Sequence, residues 1–131
     1  MKKLQTLGLH HVALNVFDVT ACTHFYKNIF NMRIEWQPDP DNIYLTSGTD
    51  NLALHRVEKC ERQRPSQRLD HIGFFVESPE AVDAWFLFLT DNNVTIIKEP
   101  KTHRDGTRSL YCADPDGNVV QVIHIPIKSD F

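Results

Sequence analysis

The sequence predicts an α+β fold: two βαβββ modules whose strands form a cupped mixed sheet around a cavity. Three observations carry that expectation. The pattern strand, capped helix, strand occurs twice, over residues 9–36 and 69–97, and the copies superpose when His11 is laid on His71. Each helix has a single apolar face. Each strand alternates, so that one side of every module's sheet has no helix to cover it.

In the first module a strand is expected over 9–16 and a helix over 18–30 that opens on Asp18. Strands over 32–36, 43–47 and 52–57 follow. Cys22, Phe25, Tyr26, Ile29 and Phe30 form the helix's apolar face, and the run Pro38-Asp39-Pro40-Asp41 breaks the chain before the third strand. The second module repeats the plan, with a strand over 69–76 and a helix over 78–92. Its remaining strands fall over 94–97, 107–112 and 119–125. Ser78 is an N-cap, and Pro79 sits where a missing N–H costs nothing. Leu14 falls on Phe74, Val16 on Val76, Phe25 on Trp85 and Ile29 on Leu89. The aromatics of both helices read as packing against a sheet. The whole is expected to be one domain, residues 1–131, with modules at about 7–57 and 68–125 and a polar linker over 58–67.

The bulk properties exclude several classes. A chain of 131 residues with 41% hydrophobic and 10% aromatic residues has an ordinary globular composition and can bury a stable core. Its net charge of −3 is spread among interspersed charges, without the basic patch that nucleic acid requires. Cys22, Cys60 and Cys112 form no CxxC pair, which argues against a disulfide framework or zinc knuckle and for a reducing cytoplasm. No apolar run follows Met1-Lys2-Lys3, and no segment approaches the ~20 apolar residues of a membrane span. A soluble cytoplasmic protein is expected.

Strand phase then selects the chemistry. With Val12, Leu14 and Val16 toward the helix, His11, Ala13 and Asn15 face the uncovered side. By the same alternation His71 and Gly73, Ala53 and His55, and Gln121 face that side as well. Imidazoles from separate strands on one concavity suit a first-row divalent ion such as Zn, Ni, Mn or Fe. His10, His24, His103 and His124 fall on the other phase, on a helix or in a loop, and read as structural. Trp36, Tyr44, Tyr111 and Arg108 lie near the expected cavity, and alternation allows only one of Tyr111 and Arg108 to face inward. Asp114 and Asp116 read as turn residues capping their own backbone.

The stretches HVALNV (11–16), HIGFFV (71–76) and DPDGNVVQ (114–121) resemble the signature segments of the vicinal-oxygen-chelate superfamily, which includes glyoxalases, bleomycin-resistance proteins and extradiol dioxygenases. The resemblance runs from about Leu7 to Ile125. It implies paired βαβββ modules around a divalent metal, with a histidine or glutamine from each module's first strand and a glutamate from its last. Carried over, it makes His11 and His71 metal ligands, with Gln121 where the second module's glutamate is expected and Ala53 near the first module's counterpart. Neither position offers a carboxylate, which argues against an extradiol dioxygenase. An amide oxygen at Gln121 can still ligate, and His55 could stand in as ligand or base. The resemblance thus implies a metal-dependent lyase or isomerase of glyoxalase type on a small oxygenated metabolite, in a chain that forms a homodimer. A metal-free small-molecule-binding protein of the resistance type is the alternative, and a purely structural or regulatory protein stands third.

Overall fold

The computed structural model describes Gln5 and residues 9–58 and 69–126. Apart from Glu58, the linker expected over 58–67 lies outside these residues, as does Cys60. The chain divides into two compact units, Met1–Gln63 and Arg64–Phe131.

The first unit comprises β1 (His11–Val16), α1 (Val19–Asn28), β2 (Arg33–Asp39), β3 (Asn42–Thr46) and β4 (Asn51–Arg56). Its strands lie in the order β1-β4-β3-β2, with β1 parallel to β4 and the other pairs antiparallel. The second unit comprises β5 (Ile72–Phe75), α2 (Pro79–Asp91), β6 (Ile96–Thr102), β7 (Arg108–Ala113) and β8 (Val119–His124), in the order β5-β8-β7-β6. There β5 runs parallel to β8. Each unit is a βαβββ module, so the α+β class and the repeat read from the sequence are both present.

Both helices start where their caps dictate. The Asp18 carboxylate accepts from the Ala21 N–H at 2.9 Å and the Ser78 hydroxyl from the Ala81 N–H at 3.0 Å, each satisfying an otherwise orphaned donor. Beyond each helix comes an asparagine in the left-handed region, Asn31 at φ 57° and Asn93 at φ 59°, which turns the chain back toward the sheet. Helix α1 buries Val19, Cys22, Phe25 and Tyr26 on the side of the sheet that also buries Leu14, Val16, Ile43, Leu45, Leu52 and Leu54. Helix α2 buries Val82 and Leu89, with Leu110, Cys112, Val120 and Val122 as the sheet's contribution.

Strands β2 and β6 run further than expected, through Pro38 and Pro100. Both are edge strands with a ladder on one side only, so a residue without an N–H is tolerated, and proline there blunts the open edge. Register shifts in both strands mark bulges.

The turn before β8 is built on one carboxylate. Asp114 Oδ1 accepts from the N–H groups of Asp116 and Asn118 at 2.9 Å each, and its Oδ2 accepts from Asn118 Nδ2 at 2.9 Å. Gly117 supplies the positive φ of 89°. Asp114 and Asn118 are each 4% exposed, so Asp114→Ala would strand buried donors. A loss of about 1–3 kcal/mol is expected from urea denaturation; an unchanged midpoint would show that the turn does not depend on this carboxylate.

Candidate functional site

The side of each sheet opposite its helix is the open one. In β1, Leu14 and Val16 are buried while His11, Ala13 and Asn15 are exposed, as alternation predicts. The parallel register sets His11 beside Asn51, Ala13 beside Ala53 and Asn15 beside His55. On the neighbouring strand Tyr44 lies opposite Ala53, and Trp36 lies opposite Tyr44.

Two imidazoles on this face are held in the same way. Asn51 Nδ2 donates to Glu35 Oε2 at 2.7 Å, which turns Asn51 Oδ1 toward His11 Nδ1 at 2.6 Å. An amide oxygen can only accept, so Nδ1 of His11 carries a hydrogen, and in the neutral ring the lone pair lies on Nε2. Similarly, Asn42 Nδ2 donates to both oxygens of Asp39, at 3.0 and 3.1 Å, and its Oδ1 meets His55 Nδ1 at 2.6 Å. Each is a carboxylate–amide–imidazole relay that presents a basic Nε2.

The two relays serve different places. His11 and His55 are four ladder positions apart, roughly 13 Å of strand rise. Tyr44 contacts both rings, stacking on His11 at 6.5 Å between centroids and meeting His55 edge-on at 5.8 Å. Trp36 extends the row, stacked on Tyr44 at 5.2 Å. With Tyr44 seated against both imidazoles, His55 is poorly placed to ligate an ion held by His11.

In the second unit His71 stands one residue before β5, with its Nδ1 2.6 Å from Asp70 Oδ2. It meets the Tyr111 ring edge-on at 5.3 Å. Tyr111 lies opposite Gln121 in the β7–β8 ladder, and Gln121 Nε2 donates to the Tyr111 hydroxyl at 3.0 Å. Gln121 is 8% exposed, and its Oε1 ends over Gly73, where an added Cβ would come within 3.2 Å. Glycine at 73 therefore leaves room for that oxygen. Lys98 Nζ lies 5.6 Å from the centre of the Tyr111 ring. His71 and Gln121 are thus brought together around one tyrosine.

Of the two candidates on β7, Tyr111 takes the open face. Arg108 turns to the helix side, donating to Asp83 Oδ1 from Nε at 3.2 Å and from Nη2 at 2.6 Å. Three of the four remaining histidines have partners for their side chains: His24 beside Asn28, His103 on the Ser109 hydroxyl and His124 on the Val76 carbonyl. Cys22 is fully buried, and burial, with a smaller contribution from Asp114, pushes the Cys112 thiol up to about 12, so neither offers a thiolate. Among the described residues no three His, Cys, Asp or Glu side chains group as a metal site. The donor types present, imidazole nitrogens and one amide oxygen, are ones that a borderline first-row divalent ion accepts. The anchors Glu35, Asn51, Asp39, Asn42 and Asp70 were not read from the sequence. Only the Asp70-His71 adjacency was visible there.

Paired βαβββ units with a histidine at the head of each first strand define the class of this protein. The profile of the Glyoxalase/Bleomycin resistance protein/Dioxygenase superfamily matches residues 8–122, and the chain belongs to that superfamily. It is similar to the metallothiol transferase FosB of Staphylococcus saprophyticus, 29% identical over 111 residues, covering 85% of this chain and 72% of the relative. The Staphylococcus epidermidis FosB is 28% identical over 120 residues, covering 91% of this chain and 82% of the relative. Among solved structures, the lactoylglutathione lyase of Agrobacterium tumefaciens aligns with a TM-score of 0.75 at 19% identity, over 91% of this chain and 94% of that one. The fosfomycin resistance protein FosX of Listeria monocytogenes aligns with a TM-score of 0.75 at 21% identity, over 94% and 97%. These structural likenesses bear on the fold. Among the described residues, no helix is long and apolar enough to cross a membrane.

Proposed function

We propose that the chain is a cytoplasmic, divalent-metal-dependent enzyme that transfers a thiol to a small oxygenated molecule. His11, His71 and Gln121 are its metal ligands, contributed by one chain or by two in a homodimer. The observation that carries this reading is the anchoring of the two histidines. Each has Nδ1 hydrogen-bonded to a side-chain oxygen, Asn51 for His11 and Asp70 for His71, the outer-shell arrangement that directs Nε2 at a metal. A divalent ion held there would supply a Lewis acid for an oxygen of the substrate. The chain's own groups do the rest: Tyr111 orients the Gln121 amide, and Gly73 keeps space beside its oxygen.

Thiol transfer leads because it is the activity named for the curated relatives; a glyoxalase-type lyase or isomerase rests on a fold likeness at 19% identity. A metal-free binding protein is the second reading, favoured by the uncharged Gln121 and by Trp36, 60% exposed on the aromatic row. Equilibrium dialysis against Mn(II), Ni(II), Zn(II) and Fe(II), followed by thiol consumption with fosfomycin and L-cysteine, tests the choice. Failure to take up any ion sinks the enzyme reading, and ligand binding that survives loss of both histidines supports the second.

A further inference from the structure

We propose that His55 is the base that removes the proton from the attacking thiol, with Asn42 and Asp39 as positioning residues. This rests on the thiol-transfer reading and adds a catalytic group separate from the metal ligands.

Asp39 accepts from Asn42 Nδ2 through both carboxylate oxygens and also from the Asp41 N–H at 2.8 Å, so the carboxylate is itself fixed. With its donors turned to Asp39, Asn42 can offer His55 only an oxygen, and the imidazole is locked as its Nδ1–H tautomer. Asn42 and His55 are direct cross-strand partners, so a plain sheet pair is the simpler account. A sheet pair, however, needs no carboxylate gripping the amide from behind. The same device recurs at His11 on the same face: its anchor Asn51 is likewise its register partner, and there too a carboxylate, Glu35 from β2, holds the amide. His55 is also half-buried on the open face, not sealed in the core.

The chemistry balances without an oxidant. His55 Nε2 takes the proton as the thiol S–H bond breaks. The sulfur lone pair forms a bond to the oxygen-bearing carbon of the substrate, and that C–O bond breaks with its electron pair leaving on oxygen. Water gives a proton to that oxygen and the imidazolium returns one to water, so the net reaction adds the thiol across the C–O bond. No described cysteine can replace the external thiol, since Cys22 and Cys112 are buried. The separation along the strands suits this division of labour: His11 belongs to the electrophile's side and His55 to the nucleophile's, with Tyr44 as the floor between them.

The experiment combines a tautomer measurement with kinetics. Multiple-bond proton–nitrogen spectra of 15N-labelled protein should show His55 Nε2 without hydrogen, and Asn42→Ala should abolish that preference. With Mn(II), fosfomycin and L-cysteine, His55→Gln should lower kcat by about 100-fold or more while leaving Mn(II) affinity unchanged. Added imidazole should restore part of the rate, and an aryl thiol already ionised at neutral pH should lose most of its dependence on His55. A hydrogen on Nε2 in the wild-type protein overturns the proposal, and so does a fully active His55→Gln variant. If the wild-type protein consumes no thiol, the thiol-transfer reading itself fails. If it does and His55→Gln matches it, only the base assignment fails.

Discussion

Changing His11 to alanine should weaken divalent-ion binding by more than about 100-fold, beyond the ~10–100-fold that loss of an outer-shell partner costs. His71→Ala should act alike, since each removes an imidazole donor whose tautomer is already set. The anchors grade the effect. Asn51→Ala frees the His11 ring and lets the hydrogen move to Nε2, for an expected loss of about 10–100-fold. Asp70→Ala should cost less, because the Asp70 side chain is 93% exposed and water can replace its oxygen. Titration calorimetry with Ni(II) or Zn(II) reads all four variants, with circular dichroism confirming the fold. Retention of wild-type affinity by His11→Ala would remove it from the ligand set. Equal losses for Asn51→Ala and Asp70→Ala would mean that burial of the anchor does not matter.

Much of this site was legible because strand alternation is a strong signal. A period of two, applied to residues 11–16 and 119–125, put His11 and Gln121 on the open face, and the ladders agree. The capped helices were legible for a similar reason: Asp18 and Ser78-Pro79 act within a few residues of themselves. The anchors escaped because they depend on register. Asn51 reaches His11 only through the parallel pairing of β1 with β4, and Glu35 enters from β2, an edge strand whose bulges shift its pairing. No local pattern announces which asparagine will sit beside which histidine. The end of β2 differs for another reason: the run from Pro38 reads as a chain break, but an edge strand has a free side on which a missing N–H is harmless.

Gln121→Glu offers the sharpest test of the second unit's donor, because it should strengthen binding. At this position the side chain is 8% exposed, so a new carboxylate would be poorly solvated in the free protein. Against a divalent cation at ~4 Å, one added charge is worth about 8 kcal/mol at an effective dielectric constant near 20. Desolvation takes back several kcal/mol, leaving a net gain on the order of 1.4–2.8 kcal/mol, or tenfold to a hundredfold in affinity. Lys98, 5.6 Å from the Tyr111 ring centre, offsets part of the added charge, and the Tyr111 hydroxyl can turn to donate to it. The sign with pH follows from desolvation: burial raises the carboxylate's pKa in the free protein, so the neutral acid competes with the ion at low pH. The affinity gain should therefore grow as pH rises from about 5 to 8. The metal-free variant should melt below wild type and recover when the ion is added. If the variant binds no more tightly than wild type at any pH, Gln121 Oε1 does not touch the ion, and its place over Gly73 is packing alone.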